Sequence, residues 1–385
     1  MVLGNSMLIP LLPRLKEAMD LTLAEVGLLI TAFSLPAGLT IPLAGLLSDR
    51  FGRKAILVPA LAVYGLGGAL AGLAILAVGR PYFWVLLARV IQGVGAGGTY
   101  QLAMALTGDL YQQAARVRYL GLLETGNGVG KAVSPILGAA LGLISLALPF
   151  FVYGFLSWPA AAAVALLVRE RPRRRQVPGW RAYFQTVWQV LSARGQAVVP
   201  SFLAGMGCLF VLFGTLSYAS DLLELRYGLR GMGAGLALAV PVGVMAFTSY
   251  LAGNYLGERL DRLAQGIALG LLAVAVSLAL LTADLALLPL LLALLPLGAG
   301  TGMVLPAVNT VVTGLVAQEE RGLVTCLYGA LRFFGVALGP PAFGMVLLLG
   351  RTSFFGTASL AVALLAVLAA VLIRPRAVVP PELSH

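Results

Sequence analysis

Four ionisable residues stand inside stretches of this 385-residue chain that otherwise carry almost no charge: Arg89, Glu124, Lys131 and Arg332. Glu124 is the only acid placed well inside an apolar run; the others fall in connections or near run ends. An ionisable group among apolar ones is a functional candidate by default, and the chemistry open to a lone carboxylate there is to take up and release a proton. Lys131 follows seven residues on, about 10 Å along the same helix face. Glu124 therefore reads either as a proton carrier tuned by Lys131 and by Arg89 or Arg332, or as a structural ion pair with Lys131. A second cluster, Gly45-Leu-Leu-Ser-Asp49-Arg50-Phe-Gly52-Arg53-Lys54, joins two long apolar runs through a turn. An acid closing one helix, a glycine and paired cations at such spacing can make contacts that form and break.

The elements that position these groups must lie in lipid. The chain is 60% hydrophobic and 11% charged, against about 25% charged in soluble domains. Lipid leaves helices or closed barrels as spanning structures, and these Leu/Ala/Val/Gly-rich runs are continuous, so helices are expected. Twelve spans are read at about 1–12, 23–47, 55–78, 83–108, 119–145, 148–168, 197–220, 232–256, 263–282, 286–315, 323–349 and 353–373. The first is short, about 18 Å against a core of ~30 Å, and reads as truncated. Neither a basic head nor a small-residue cleavage site marks it as a signal peptide. Cations orient the spans. Seventeen fall on one set of connections, including Arg50, Arg53, Lys54, Arg116, Arg118, seven arginines between Arg169 and Arg194, Arg321 and Arg374. Six fall on the opposite set: Arg14, Lys16, Arg80, Arg226, Arg230 and Arg351. This bias places both termini in the cytoplasm and accounts for the +11 net charge without nucleic acid. The stretch 169–196 divides the chain into halves 1–168 and 197–385; its Trp180, Tyr183, Phe184 and Trp188 suggest an amphipathic helix on the membrane surface or a solvated basic linker. Cys208 and Cys326 are expected only to pack, and the one histidine is the terminal His385. No metal site, catalytic cluster or G-x4-G-K-[ST] nucleotide loop is present in the sequence.

The halves repeat. Gly93-Val-Gly-Ala-Gly-Gly98 is matched by Gly298-Ala-Gly-Thr-Gly302, and Gly130-Lys-Ala-Val-Ser-Pro135 by Gly335-Val-Ala-Leu-Gly-Pro340. The Gly45–Lys54 turn has a weaker echo at Gly253-Asn-Tyr-Leu-Gly-Glu258-Arg259. Together with Arg89-Val-Ile-Gln92-Gly93, these motifs resemble those of the major facilitator superfamily along essentially the whole chain, and the run Leu122-Leu-Glu124 to Pro135 resembles its bacterial multidrug efflux subgroup. The resemblance implies an all-α membrane protein of two pseudo-symmetric six-helix bundles with a central site near the midplane. It implies a latch at Gly45, Asp49, Arg50, Gly52, Arg53 and Lys54, with Asp49 facing the N-terminus of the eleventh span and Arg116 and Arg118 as further partners. Gly52, Arg53 and Lys54 would form the turn and its headgroup anchor. It implies a substrate- or proton-linked, cavity-lining Arg89, against the plainer reading of an arginine reaching outward to the surface near Trp84. Gly126, Gly130, Ser134, Pro135 and Gly138, with Gly335 and Pro340, would form a packing motif of antiporters, the first set against the eighth span; Ser134 stands where the family motif has glycine. Spans 1, 4, 7 and 10 would line the cavity, with Asn5, Gln92, Tyr100, Gln101, Tyr218 and Asn309 as candidates, joined by Arg332 of the eleventh span.

The implied function is proton-coupled export of drug-like organic compounds by alternating access, in the cytoplasmic membrane and as a monomer. Protons would be the only coupling ion and no cofactor would be needed. Two rivals remain: transport or flipping of an anionic or lipid-like amphiphile, suggested by three intramembrane cations against one anion, and a membrane enzyme or sensor without transport.

Overall fold

The computed structural model describes residues 3–111, 113–170, 180–256, 260–314, 321–345 and 350–373, and every regular element in them is helical. The first half comprises α1 (Leu3–Ser6), a 3-10 turn (Ile9–Leu11), α2 (Leu12–Ala18), α3 (Leu23–Phe51), α4 (Arg53–Ala77), α5 (Tyr82–Gly97), α6 (Tyr100–Leu110), α7 (Gln113–Ile144) and α8 (Leu148–Leu167). The second comprises α9 (Trp180–Leu225), α10 (Met232–Tyr255), α11 (Leu260–Leu280), α12 (Leu287–Ala293), α13 (Leu295–Gly314), α14 (Arg321–Gly344) and α15 (Arg351–Leu372). Among the described residues, ten helical segments are long and apolar enough to cross a membrane. The two remaining expected spans are the first, broken into short turns, and the fourth, where α5 holds 16 residues before the chain breaks. All twelve thus have helical counterparts.

Local chemistry explains where the elements begin and end. Thr22 and Glu25 form a reciprocal cap at the start of α3: Thr22 Oγ1 accepts from Glu25 N–H at 3.2 Å, and Glu25 Oε2 accepts from Thr22 N–H at 2.8 Å. The fourth span is not one helix as expected. Four glycines in six residues weaken the helix there, and the chain tightens at Gly98–Thr99, where Thr99 Oγ1 donates to Ala96 O at 2.7 Å. The seventh span and part of the linker are one 46-residue helix, α9, about 69 Å long at 1.5 Å per residue. That exceeds a hydrocarbon core of ~30 Å, so a large part of α9 lies beyond the core. Residues 171–179 of the linker lie outside the described residues.

Contacts group the chain into two compact units, and the grouping does not follow the linker alone. The first contains 1–177 together with 214–239 and 336–344; the second contains 178–213, 240–335 and 345–385. In the first unit, Gly93 of α5 meets the backbone of Phe33 on α3 so closely that any Cβ would collide with Phe33 O. In the second, Gly298 stands in the same relation to Pro241 O. The repeat read from Gly93–Gly98 and Gly298–Gly302 is therefore a repeat of backbone crossings.

Candidate functional site

Arg89 is fully buried in the first unit, and its guanidinium is held by neutral groups from three spans. Nε donates to Leu29 O at 3.0 Å, one terminal nitrogen to Gln92 Oε1 at 2.6 Å, and the other to Asn5 Oδ1 at 2.6 Å. Asn5 Nδ2 in turn donates to Ser34 Oγ at 2.7 Å, and the guanidinium carbon lies 4.4 Å from the centre of the Phe33 ring. Around this core pack Tyr64, edge-on to Phe33 at 6.2 Å, and Tyr153, 6.3 Å from Tyr64. Their hydroxyls and Gln92 Nε2 are buried without hydrogen-bond partners. Arg89 therefore neither lines an open cavity nor reaches outward to the surface. Asn5 and Gln92, expected to face substrate, are here its hydrogen-bond acceptors and are themselves buried.

The Gly45–Lys54 turn is a second built site. α3 runs to Phe51, beyond the expected end, and closes on Gly52 at φ 104°, a conformation that favours glycine. Arg53 is folded inward, 2.6 Å from Asp49 Oδ1 and 3.5 Å from Asp109 Oδ2, with Ser48 Oγ also in its reach. Glu170, the one acid in the basic linker, receives the first two N–H groups of α4: Oε1 from Arg53 at 2.7 Å and Oε2 from Lys54 at 2.8 Å. Lys54 Nζ donates to Val168 O at 2.7 Å. Arg53 and Lys54 are thus tied into the protein through nearby oxygens. Arg50 remains exposed, 5.4 Å from the Phe51 ring centre. Asp109 and Glu170 were missed by the sequence reading; an acid within an otherwise basic connection was the available signal. Gly45 is buried, its carbonyl accepting from Ser48 Oγ at 2.7 Å. The side chains of Arg116, Arg118 and Glu124 lie outside the described residues.

The antiporter-like run divides along its length. Gly126 and Gly130 have open space where a Cβ would stand, so they are not the tight seam expected of them. Close packing begins further on, where Ser134 Oγ donates back to Gly130 O and Gly138 meets Met7 O of the first span. The expected meeting with the eighth span is made by a glycine on the other helix: a Cβ on Gly235 would lie 3.0 Å from Pro135 O. In the second unit Gly335 meets Met206 O. Pro340 packs over Gly27 in the first unit. Lys131, Tyr100 and Gln101 are half-buried, Tyr218 is buried and Asn309 exposed; Arg332 is half-buried with its guanidinium 5.6 Å from the Tyr328 ring centre. Among the described residues no cluster of acids, histidines and cysteines could hold a metal.

The chain is similar to known proteins along most of its length. The family model described as Major Facilitator Superfamily matches residues 1–340 and 227–384. The bacillibactin exporter of Bacillus subtilis is 36% identical over 349 residues, covering 90% of this chain and 87% of that protein. The multidrug efflux protein YfmO of the same organism is 28% identical over 89% of this chain and 83% of its own length. A solved bacterial homologue of the human lysosomal transporter Spinster, in an inward-facing and occupied conformation, superposes with a TM-score of 0.75 at 19% identity, covering 99% of this chain and 96% of that one. These matches leave no place for the enzyme reading: the chain is a multi-pass membrane transporter and belongs to the major facilitator superfamily.

Proposed function

We propose that this transporter exports small organic compounds from a bacterial cytoplasm in exchange for protons, by alternating access, with both termini inside. The observation that carries the reading is the likeness, over nine-tenths of the chain, to a protein named as an exporter, with an efflux protein also similar over most of its length. Seventeen cations on one set of connections against six on the other support the orientation. Glu124 is the proposed proton carrier, because it is the acid that the sequence places deepest in the membrane and Lys131 shares its helix face. Asp49 is the proposed inner latch; it is paired here with Arg53 on its own turn, so its charge is held ready at the surface of the first unit. The rival reading, an anionic or lipid-like amphiphile, is weakened at one of its three cations, because Arg89 is buried and each of its nitrogens already donates to a protein oxygen.

Uptake of cationic and anionic dyes into inverted vesicles under an imposed pH gradient tests the proposal. Proton-driven uptake that Glu124→Gln abolishes is expected. Uptake with the same pH dependence in Glu124→Gln would remove this residue from the proton path, and uptake of anionic dyes alone would favour the rival.

A further inference from the structure

One face of the first unit, on the arginine-poor side, is built by both halves of the sequence. The last turns of α9, the first turns of α10 and the last turns of α14 pack there against the first-half helices. The approach is at backbone distance: a Cβ on Gly27 would lie 3.0 Å from Pro341 N, and one on Gly344 2.8 Å from Ala24. Ser220 Oγ donates to Ile9 O at 2.8 Å, and Thr31 Oγ1 donates to Ala337 O. Beside these contacts Lys16 Nζ pairs with Asp221 Oδ1, the lysine 21% and the aspartate 9% exposed.

We propose that Lys16 and Asp221 form an ionic lock that holds this seam shut and sets how readily the transporter opens to the arginine-poor side. The proposal rests on the alternating-access reading and its orientation. Its basis is which chain segments each ion pair joins. Asp49–Arg53 lies within one turn, and Glu224–Arg230, at 3.0 Å, closes the connection between α9 and α10; both can survive a movement of one half against the other. Lys16 and Asp221 are 205 residues apart, in different halves, so their pair lasts only while the seam is closed. Because Asp221 is nearly buried, removing either partner leaves a charge in a poorly hydrated seam. Parting the seam lets water reach that charge, so single neutralisation favours opening.

A cysteine behind the seam reads this directly. Ser217 is 1% exposed and one turn before Asp221 on α9. With Cys208 and Cys326 replaced by alanine, Ser217→Cys is exposed in intact cells to a membrane-impermeant maleimide. Asp221→Asn and Lys16→Gln are each expected to speed labelling about tenfold, equivalent to about 1.4 kcal/mol of lost closure. The exchange Lys16→Asp with Asp221→Lys should return the rate toward the parent, and Asp221→Glu should match it. Unchanged labelling in both single variants would overturn the lock, as would an exchange as fast as the singles. A merely unfolded variant would also lose its thermal transition in detergent, whereas an opened one keeps it. Labelling needs neither substrate nor pH gradient, so a failure of proton-coupled export leaves this result standing. Labelling only from the cytoplasmic side would refute the orientation and not the lock.

Discussion

Two matching sets of helix crossings, one in each half, share a backbone register and differ in the side chains around it. Gly93, Gly95 and Gly138 meet Phe33 O, Tyr64 N and Met7 O in the first unit; Gly298, Gly300 and Gly335 meet Pro241 O, Val274 N and Met206 O in the second. That register places Arg89 opposite Leu294, Gln92 opposite Leu297, Asn5 opposite Ala204 and Tyr64 opposite Val274. All four second-half residues are buried to the limit, at 0% exposed. At these four positions the second half therefore packs with aliphatic side chains alone. A desolvated arginine costs about 2.5–3.5 kcal/mol or more in a membrane, and here it is held without a carboxylate among its hydrogen-bond acceptors. The architecture does not require this cost, so packing alone does not account for the polar crossing.

The most damaging way to break the comparison is to move the charge. Leu294→Arg places a guanidinium where the register offers Leu297, Ala204 and Val274 in place of Gln92, Asn5 and Tyr64, so the stability loss should be about 2.5–3.5 kcal/mol or more. Thermal unfolding in detergent should show a large fall or no folded protein. A second-half crossing that accepts arginine without loss would mean that the two environments are alike. The reciprocal change separates packing from function. Arg89→Leu leaves the buried Asn5 and Gln92 oxygens short of a donor, at about 1–3 kcal/mol. Adding Asn5→Ala and Gln92→Leu should recover most of that stability and leave vesicle transport at least about tenfold below the parent. Full transport in the triple variant would reduce the network to packing.

The sequence exposed the parts of this comparison but not their assembly. Apolar runs of about 20 residues announce spans because lipid admits little else, and the pairing of Gly93–Gly98 with Gly298–Gly302 announced matching crossings, whereas the crossing made by Gly335 is matched by Gly138 and not by Gly130. Arg89, Asn5 and Gln92 each drew attention, yet they were sorted by span number into a cavity, because nothing local shows that a guanidinium on α5 takes its acceptors from residues 60 and 84 positions away. Glu170 was hidden by its arginine neighbours, since composition reports the average of a stretch and a cap needs one carboxylate. Lys16 and Asp221 looked like ordinary connection charges for the same reason. The glycines at 126 and 130 misled in the opposite direction: small residues permit close approach, but only the partner's position decides whether it occurs.

If the shared backbone is the true invariant, equal insults should cost the halves equally. Gly93→Ala and Gly298→Ala each force a methyl into a facing carbonyl, and overpacking of this kind costs about 1–3 kcal/mol. The two thermal midpoints should fall together. A much smaller loss at Gly298 would show that aliphatic side chains let that crossing relax, and would weaken the claim that polarity is the only difference.

The smallest effect sharpens the contrast at the other end of the first half. Glu170 holds the N–H groups of Arg53 and Lys54, which a helix start leaves without intrahelical partners. Glu170→Gln keeps the shape and one carbonyl acceptor but removes the charge that favours a helix N-terminus, so a loss of about 0.5–2 kcal/mol is expected, as for other caps. Hydrogen exchange at the first turn of α4 measures it, because the opening is local and a global melt would dilute it. Faster exchange confined to that turn, with the Arg89 crossing protected as before, would show that the first half carries two independent polar devices. Faster exchange at both would join them into one.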